Sequence, residues 1–169
     1  MKIAIIGAGY VGLVTGVCLA EVGHEVTCID VDAKKVALLN AGRSPIYEPG
    51  LEELMVENMK EDRLYFTDLY NEGLAGAKVV YLAVGTPPNE NGSADLTALR
   101  EAATAVAKYL TEYTVIVIKS TVPIGTTTKF NKLFEGIYLT ILNSIWFQIL
   151  SFYVKEQLLM ILFMGIELL

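Results

Sequence analysis

KIAIIGAGYVGLVTGVCLAEVGHEVTCID, residues 2–30, decides the fold of this chain. Lys2–Ile6 is a short β-branched run that stops at glycine, as a buried parallel strand does. Tyr10–Val22 carries apolar residues at helical spacing, and Gly23-His24 supplies its stop. Glu25–Asp30 reads as a second strand. Between the first strand and the helix lies Gly7-Ala8-Gly9-Tyr10-Val11-Gly12. The first glycine permits a tight turn, the second lets backbone approach a pyrophosphate, and the third lets helix and strand pack closely. The helix N-terminus adds N–H donors and a partial positive charge. Alone this pattern is weak; with a strand before it, a helix after it and Asp30 ending the next strand, it predicts a dinucleotide site.

Asp30 is placed to accept hydrogen bonds from the adenosine ribose, and its carboxylate repels a 2′-phosphate, so NAD is expected over NADP. Lys34 and Lys35 have two readings, as solvated charges on a helix surface or as cofactor contacts.

Outward from this unit the alternation continues. Asp32 is the expected N-cap of a helix reaching Asn40, with Gly42 ending it. A turn-rich loop, Ser44–Gly50, precedes a helix over Leu51–Lys60. Arg63–Thr67 reads as a strand, Leu69–Leu74 as a short helix and Lys78–Val84 as an apolar strand. Leu96–Leu110 reads as a helix, Tyr113–Lys119 as a further buried strand, and a helix is expected to start near Thr126. Strands alternating with helices imply right-handed crossovers and an α/β, doubly wound parallel sheet of the Rossmann type, in the order 3-2-1-4-5. Ligands of such sheets bind at the carboxyl ends of strands. Thr86, after the fourth strand, and Thr121, after the fifth, are therefore expected at the cofactor crevice, although each also reads as a loop cap.

Composition narrows the function. The 169 residues carry a formal charge of −6, which leaves no basic footprint for nucleic acid. The two cysteines, Cys18 and Cys28, fall in apolar runs and read as core residues of a reducing compartment, not as a disulfide or metal pair, so no metal site is expected. The N-terminus enters a strand at once, without the apolar core or cleavage site of a secretory leader. A cytoplasmic location follows from these readings.

The motifs together resemble a family. Gly7–Gly12, Gly23-His24-Glu25-Val26, Ser44-Pro45-Ile46-Tyr47-Glu48-Pro49-Gly50-Leu51, Gly85-Thr86-Pro87-Pro88, Gly92-Ser93-Ala94-Asp95 and Lys119-Ser120-Thr121-Val122-Pro123 are similar to the nucleotide-sugar 6-dehydrogenases. The Tyr-Glu-Pro-Gly and Thr-Pro-Pro forms resemble the UDP-glucose branch more than the GDP-mannose branch. The resemblance spans residues 1–135 and implies a homo-oligomeric parent enzyme that oxidises UDP-glucose to UDP-glucuronate with two NAD. In that chemistry a cysteine forms a thiohemiacetal and then a thioester, which water hydrolyses. Carried over by motif, Gly7, Gly9, Tyr10, Val11, Gly12, Asp30, Lys35, Thr86 and Thr121 are implied cofactor contacts, and Thr121 is also implied to hold the catalytic water. His24 resembles a structural residue. Neither cysteine matches the nucleophile motif.

The language changes near Gly136. Residues 1–135 read as the NAD-binding domain; residues 136–169 form an apolar tail without turn chemistry or strand–helix alternation. The sugar-phosphate loop, sixth strand, central helix and second domain implied by the resemblance have no counterpart there. Decoding Ser144–Leu169 one nucleotide earlier, with free choice only at wobble positions, yields FDMVSNPEFLREGTAVDDFIYGDRIV. This resembles the family's substrate loop. The tail is therefore read as an out-of-frame translation, with the slip between about Gly125 and Asn143, and the chain as an inactive fragment of the enzyme. Two alternatives stand beside it: a non-catalytic dinucleotide-binding module, and a membrane anchor over Gly136–Val154. The anchor has the length and lacks charge, but Asn143, Ser144, Gln148 and Ser151 fit a span poorly and no basic cluster flanks it, so membrane is not the expected partner.

Overall fold

The computed structural model describes residues 1–123, Thr126 and Trp146–Gln148. In chain order the elements are β1 (Lys2–Ile6), α1 (Tyr10–Glu21), β2 (Glu25–Ile29), α2 (Ala33–Asn40), α3 (Leu51–Lys60), β3 (Leu64–Thr67), α4 (Tyr70–Gly73), β4 (Val79–Leu82), α5 (Thr97–Tyr109), β5 (Val115–Ile118) and β6 (Trp146–Gln148). The strands lie in the order β3-β2-β1-β4-β5-β6. Every neighbouring pair is parallel, with Ile5 opposite Cys28 on one side and Tyr81 on the other. The expected 3-2-1-4-5 order holds.

Alternation along β1 divides the core in two. Ile3 and Ile5 pack with Leu13, Val17, Leu39 and Met55 on the face covered by α1, α2 and α3. Ala4 and Ile6 pack with Leu82, Leu99, Val106 and Ile116 on the face covered by α5. A strand buried on both faces must be apolar at every position, which is why β1 reads as a continuous hydrophobic run. Helices close by local chemistry. Asp32 caps α2 as expected, its Oδ1 accepting from the Lys34 N–H at 3.0 Å and the Lys35 N–H at 3.2 Å.

One expectation is corrected. The tail was expected to supply no sixth strand, yet Trp146–Gln148 lies parallel to β5, with Trp146 opposite Ile116 and Gln148 opposite Ile118. Backbone pairing asks little of sequence, so a triplet that opens with two β-prone aromatic residues can occupy an open sheet edge. The helix expected from Thr126 and the anchor reading of Gly136–Val154 otherwise lie outside the described residues. Among the described residues, no helix is long and apolar enough to cross a membrane.

Candidate functional site

The carboxyl ends of β1, β2, β4 and β5 converge on one crevice, and the glycine turn crosses its middle. Gly7 has φ +99°, a conformation that favours glycine. A Cβ built on Gly12 falls 1.8 Å from the Gly7 carbonyl oxygen, so helix and turn touch only because Gly12 lacks a side chain. Gly9 is different: a Cβ there meets nothing within 4 Å. It opens on the crevice and serves as the N-cap of α1 without a side-chain cap, and no acidic residue occupies the first turn. The first N–H groups of a helix have no partner within the helix. This end of α1 is thus built for an anion approaching over Gly9, and the residues fit a dinucleotide pyrophosphate.

Two adjoining cavities lie either side of the turn and share Gly9, Ala83, Val84 and Gly85. The first, of about 240 Å³, is walled by Asp30, Val31, Lys35, Tyr70 and Ala98. Asp30 is buried at 8% exposure. Its Oδ2 accepts from the Ala8 N–H at 2.8 Å and from the Lys35 ammonium at 2.7 Å, and its Oδ1 accepts from the Asp32 N–H at 3.0 Å. Burial pushes this carboxyl upward, but the Lys35 ammonium and the two backbone N–H groups outweigh it and hold the group below the usual aspartate range. Asp30 therefore does more than face the crevice; it ties the glycine turn to the end of β2. Lys35 reaches it from the first turn of α2, whereas Lys34 is exposed.

The second cavity, of about 300 Å³, is walled by Tyr10, Val11, Thr86, Lys119, Ser120 and Thr121. The Thr86 hydroxyl donates to the Thr121 carbonyl at 2.8 Å. The Ser120 hydroxyl donates to the Val84 carbonyl at 2.6 Å, joining the ends of β4 and β5. Tyr10 donates its hydroxyl to Glu48, a buried residue of the loop before α3. The structure thus brings Gly7, Gly9, Tyr10, Val11, Asp30, Lys35, Thr86 and Thr121 to one crevice, whereas Gly12 is buried behind the turn, packed against Gly7 and Ala83, and lines neither cavity. Lys119, Ser120, Glu48, Val31, Tyr70 and Ala98 were not assigned a role there from sequence. Ser120 and Lys119 sit in a motif beside Thr121 and were legible as neighbours. Glu48 and Tyr70 reach the site only by crossovers, and no local pattern marks them.

The remaining candidates lie elsewhere. Cys18 and Cys28 are buried free thiols, each pushed up to about 12 by burial first and by nearby carboxylates second. Such thiols are poor nucleophiles. His24 lies at the opposite end of the sheet, its Nδ1 3.5 Å from the N-terminal amine. Among the described residues no cluster of His, Cys, Asp and Glu could hold a metal ion.

Residues 1–151 match the UDP-glucose/GDP-mannose dehydrogenase family, NAD binding domain. The chain is 53% identical over 133 residues to the UDP-glucose 6-dehydrogenase YwqF of Bacillus subtilis, covering 79% of this chain and 30% of that protein. It is 50% identical over 127 residues to the UDP-glucose 6-dehydrogenase of Rhizobium meliloti, covering 75% of this chain and 29% of that protein. Among solved structures it is similar to a UDP-glucose dehydrogenase from Pyrobaculum islandicum, with a TM-score of 0.85 and 34% identity, covering 94% of this chain and 38% of that one. The chain spans about 30% of the length of the curated relatives it matches.

Proposed function

This chain belongs to the UDP-glucose/GDP-mannose dehydrogenase family through its NAD binding domain, and on that premise we propose how its crevice holds NAD and what the parent enzyme does. The adenosine ribose hydroxyls donate to Asp30, the pyrophosphate lies over Gly9 against the first turn of α1, and the nicotinamide half enters the cavity walled by Thr86 and Thr121. Lys35 shares the Asp30 carboxylate and closes the adenosine end. The observation that carries this reading is the contrast between Gly12, where a side chain would strike backbone, and Gly9, where open space adjoins a helix N-terminus that no side chain caps. When bound, NAD supplies a hydride acceptor.

The parent reaction is the oxidation of UDP-glucose to UDP-glucuronate: the sugar alcohol and one water yield the carboxylate, two NAD accept two hydrides, and protons are released. Thr121, exposed at the crevice, holds the water in this reading. Thr86 braces the Thr121 backbone through its 2.8 Å hydrogen bond. This chain by itself is a non-turning fragment of that enzyme, located in the cytoplasm, with residues 1–135 as the NAD-binding domain and 136–169 as an out-of-frame tail; the parent is a homo-oligomer. The alternative of a dinucleotide-binding module without catalysis shares the same crevice. Calorimetry of the purified chain with NAD tests the common claim. Binding weakened strongly by Gly9→Val supports it, and binding unaffected by that change overturns it.

A further inference from the structure

Lys119 is a cation for which the proposed reading has no use. The Lys119 N–H still donates to Leu82 at 2.9 Å, so the β ladder continues one residue past β5. Ile118 packs with α5 in the second core cluster. By alternation Lys119 takes the opposite face, the one that carries α1. It is half-buried there and walls the same cavity as Tyr10, Thr86 and Thr121. Among the described residues it makes no salt bridge or side-chain hydrogen bond. Burial alone holds its ammonium below the usual lysine range, the signature of a cation taken from water without a compensating anion. Of the other charged groups nearby, Glu48 accepts from the Tyr10 hydroxyl, and Asp30 and Lys35, which wall the adjoining cavity, are paired with each other.

We propose that Lys119 senses the redox state of the bound nicotinamide, favouring NADH over NAD⁺ by charge. This inference rests on the NAD reading above. The oxidised ring is a pyridinium cation; accepting a hydride makes it neutral. A lysine ammonium in the same half-enclosed cavity repels the first form and leaves the second alone. It therefore strengthens the ring as a hydride acceptor while relaxing its grip on the oxidised cofactor. Asp30 and the α1 N-terminus cannot do this, because the ribose and pyrophosphate they face are unchanged by reduction.

The test is calorimetry of the full 169-residue chain with NAD⁺ and NADH, in wild type, Lys119→Met and Lys119→Arg. The ratio of Kd for NAD⁺ to Kd for NADH is expected to fall roughly tenfold in Lys119→Met, the scale of one unit charge across several ångströms at intermediate dielectric. Lys119→Arg, which keeps the charge, is expected to stay within about twofold of wild type. Equal weakening of both forms, or an unchanged ratio, overturns the inference and leaves Lys119 as a packing residue. Circular dichroism checks folding, and Lys119→Gln carries the same comparison if the methionine variant does not fold. A wild-type chain that binds neither form overturns the NAD reading itself, and this inference with it.

Discussion

Three hydrogen bonds to one carboxylate make Asp30 the most heavily engaged side chain of the crevice. Its two jobs, holding the Ala8 N–H and selecting the ribose, separate under substitution. Asp30→Asn keeps size and an acceptor but loses the charge that repels a 2′-phosphate. The preference for NAD over NADP should then fall by about tenfold, read as the ratio of the two dissociation constants. An unchanged ratio would remove Asp30 from cofactor selection. The glycines make a sharper pair. Gly9→Val adds atoms where the protein has none, so it should spare thermal stability and abolish NAD binding. Gly12→Ala places a Cβ 1.8 Å from a backbone oxygen, so it should cost about 3 kcal/mol in denaturant unfolding. The cysteines should stay silent: with both thiols pushed up to about 12, iodoacetamide at neutral pH should label neither until the chain unfolds. Mass spectrometry that finds rapid labelling of the folded chain would contradict their burial.

Each helix shows how far local chemistry reaches. The N-cap at Asp32 was readable because an aspartate precedes an amphipathic run, and its oxygen does accept two first-turn N–H groups. Asp32→Ala should cost about 1 kcal/mol, measured by chemical denaturation. That loss should also loosen Lys35, which projects from the first turn of α2 to Asp30. Elements closed by long-range contacts were less legible. Asn58 is fully buried on α3; it donates to Glu21 at 2.8 Å and accepts from the Arg63 guanidinium at 3.0 Å, fastening α3 to the end of α1. A lone asparagine in a helix gives no hint of such a role. β6 is the reverse case, an element formed where sequence pattern pointed to none, because the edge of β5 offers backbone partners to any extended segment.

At the scale of the molecule, a cofactor crevice is only part of a dehydrogenase. The chain spans about 30% of its curated relatives, and neither of its thiols is activated. Purified and freed of host enzymes, it should not generate NADH from UDP-glucose and NAD, because hydride transfer needs the sugar alcohol held against the nicotinamide. Robust turnover would show that the site is misplaced. The out-of-frame reading of the tail adds a genetic test: nucleotide sequence across residues 125–143 should contain a slip, and restoring the frame together with the downstream coding sequence should recover activity. An unbroken frame with no family segment in the neighbouring phase would end that reading.

Periodicity and turn chemistry were enough to establish the parallel sheet, its strand order, the glycine turn and the acid at the end of β2. Those features are written in residues close together in the chain, where the 2.0 and 3.6 periods and the backbone demands of glycine act directly. Only the tertiary structure decided that Asp30 also clamps Ala8, that Glu48 takes the Tyr10 hydroxyl, that Ser120 joins β4 to β5 and that Lys119 faces the crevice without a counter-ion among the described residues. The physical reason is the crossover. A parallel sheet lays side by side strand ends far apart in sequence, and which side chains then share a low-dielectric cavity depends on register and packing across that distance, to which no local pattern is sensitive.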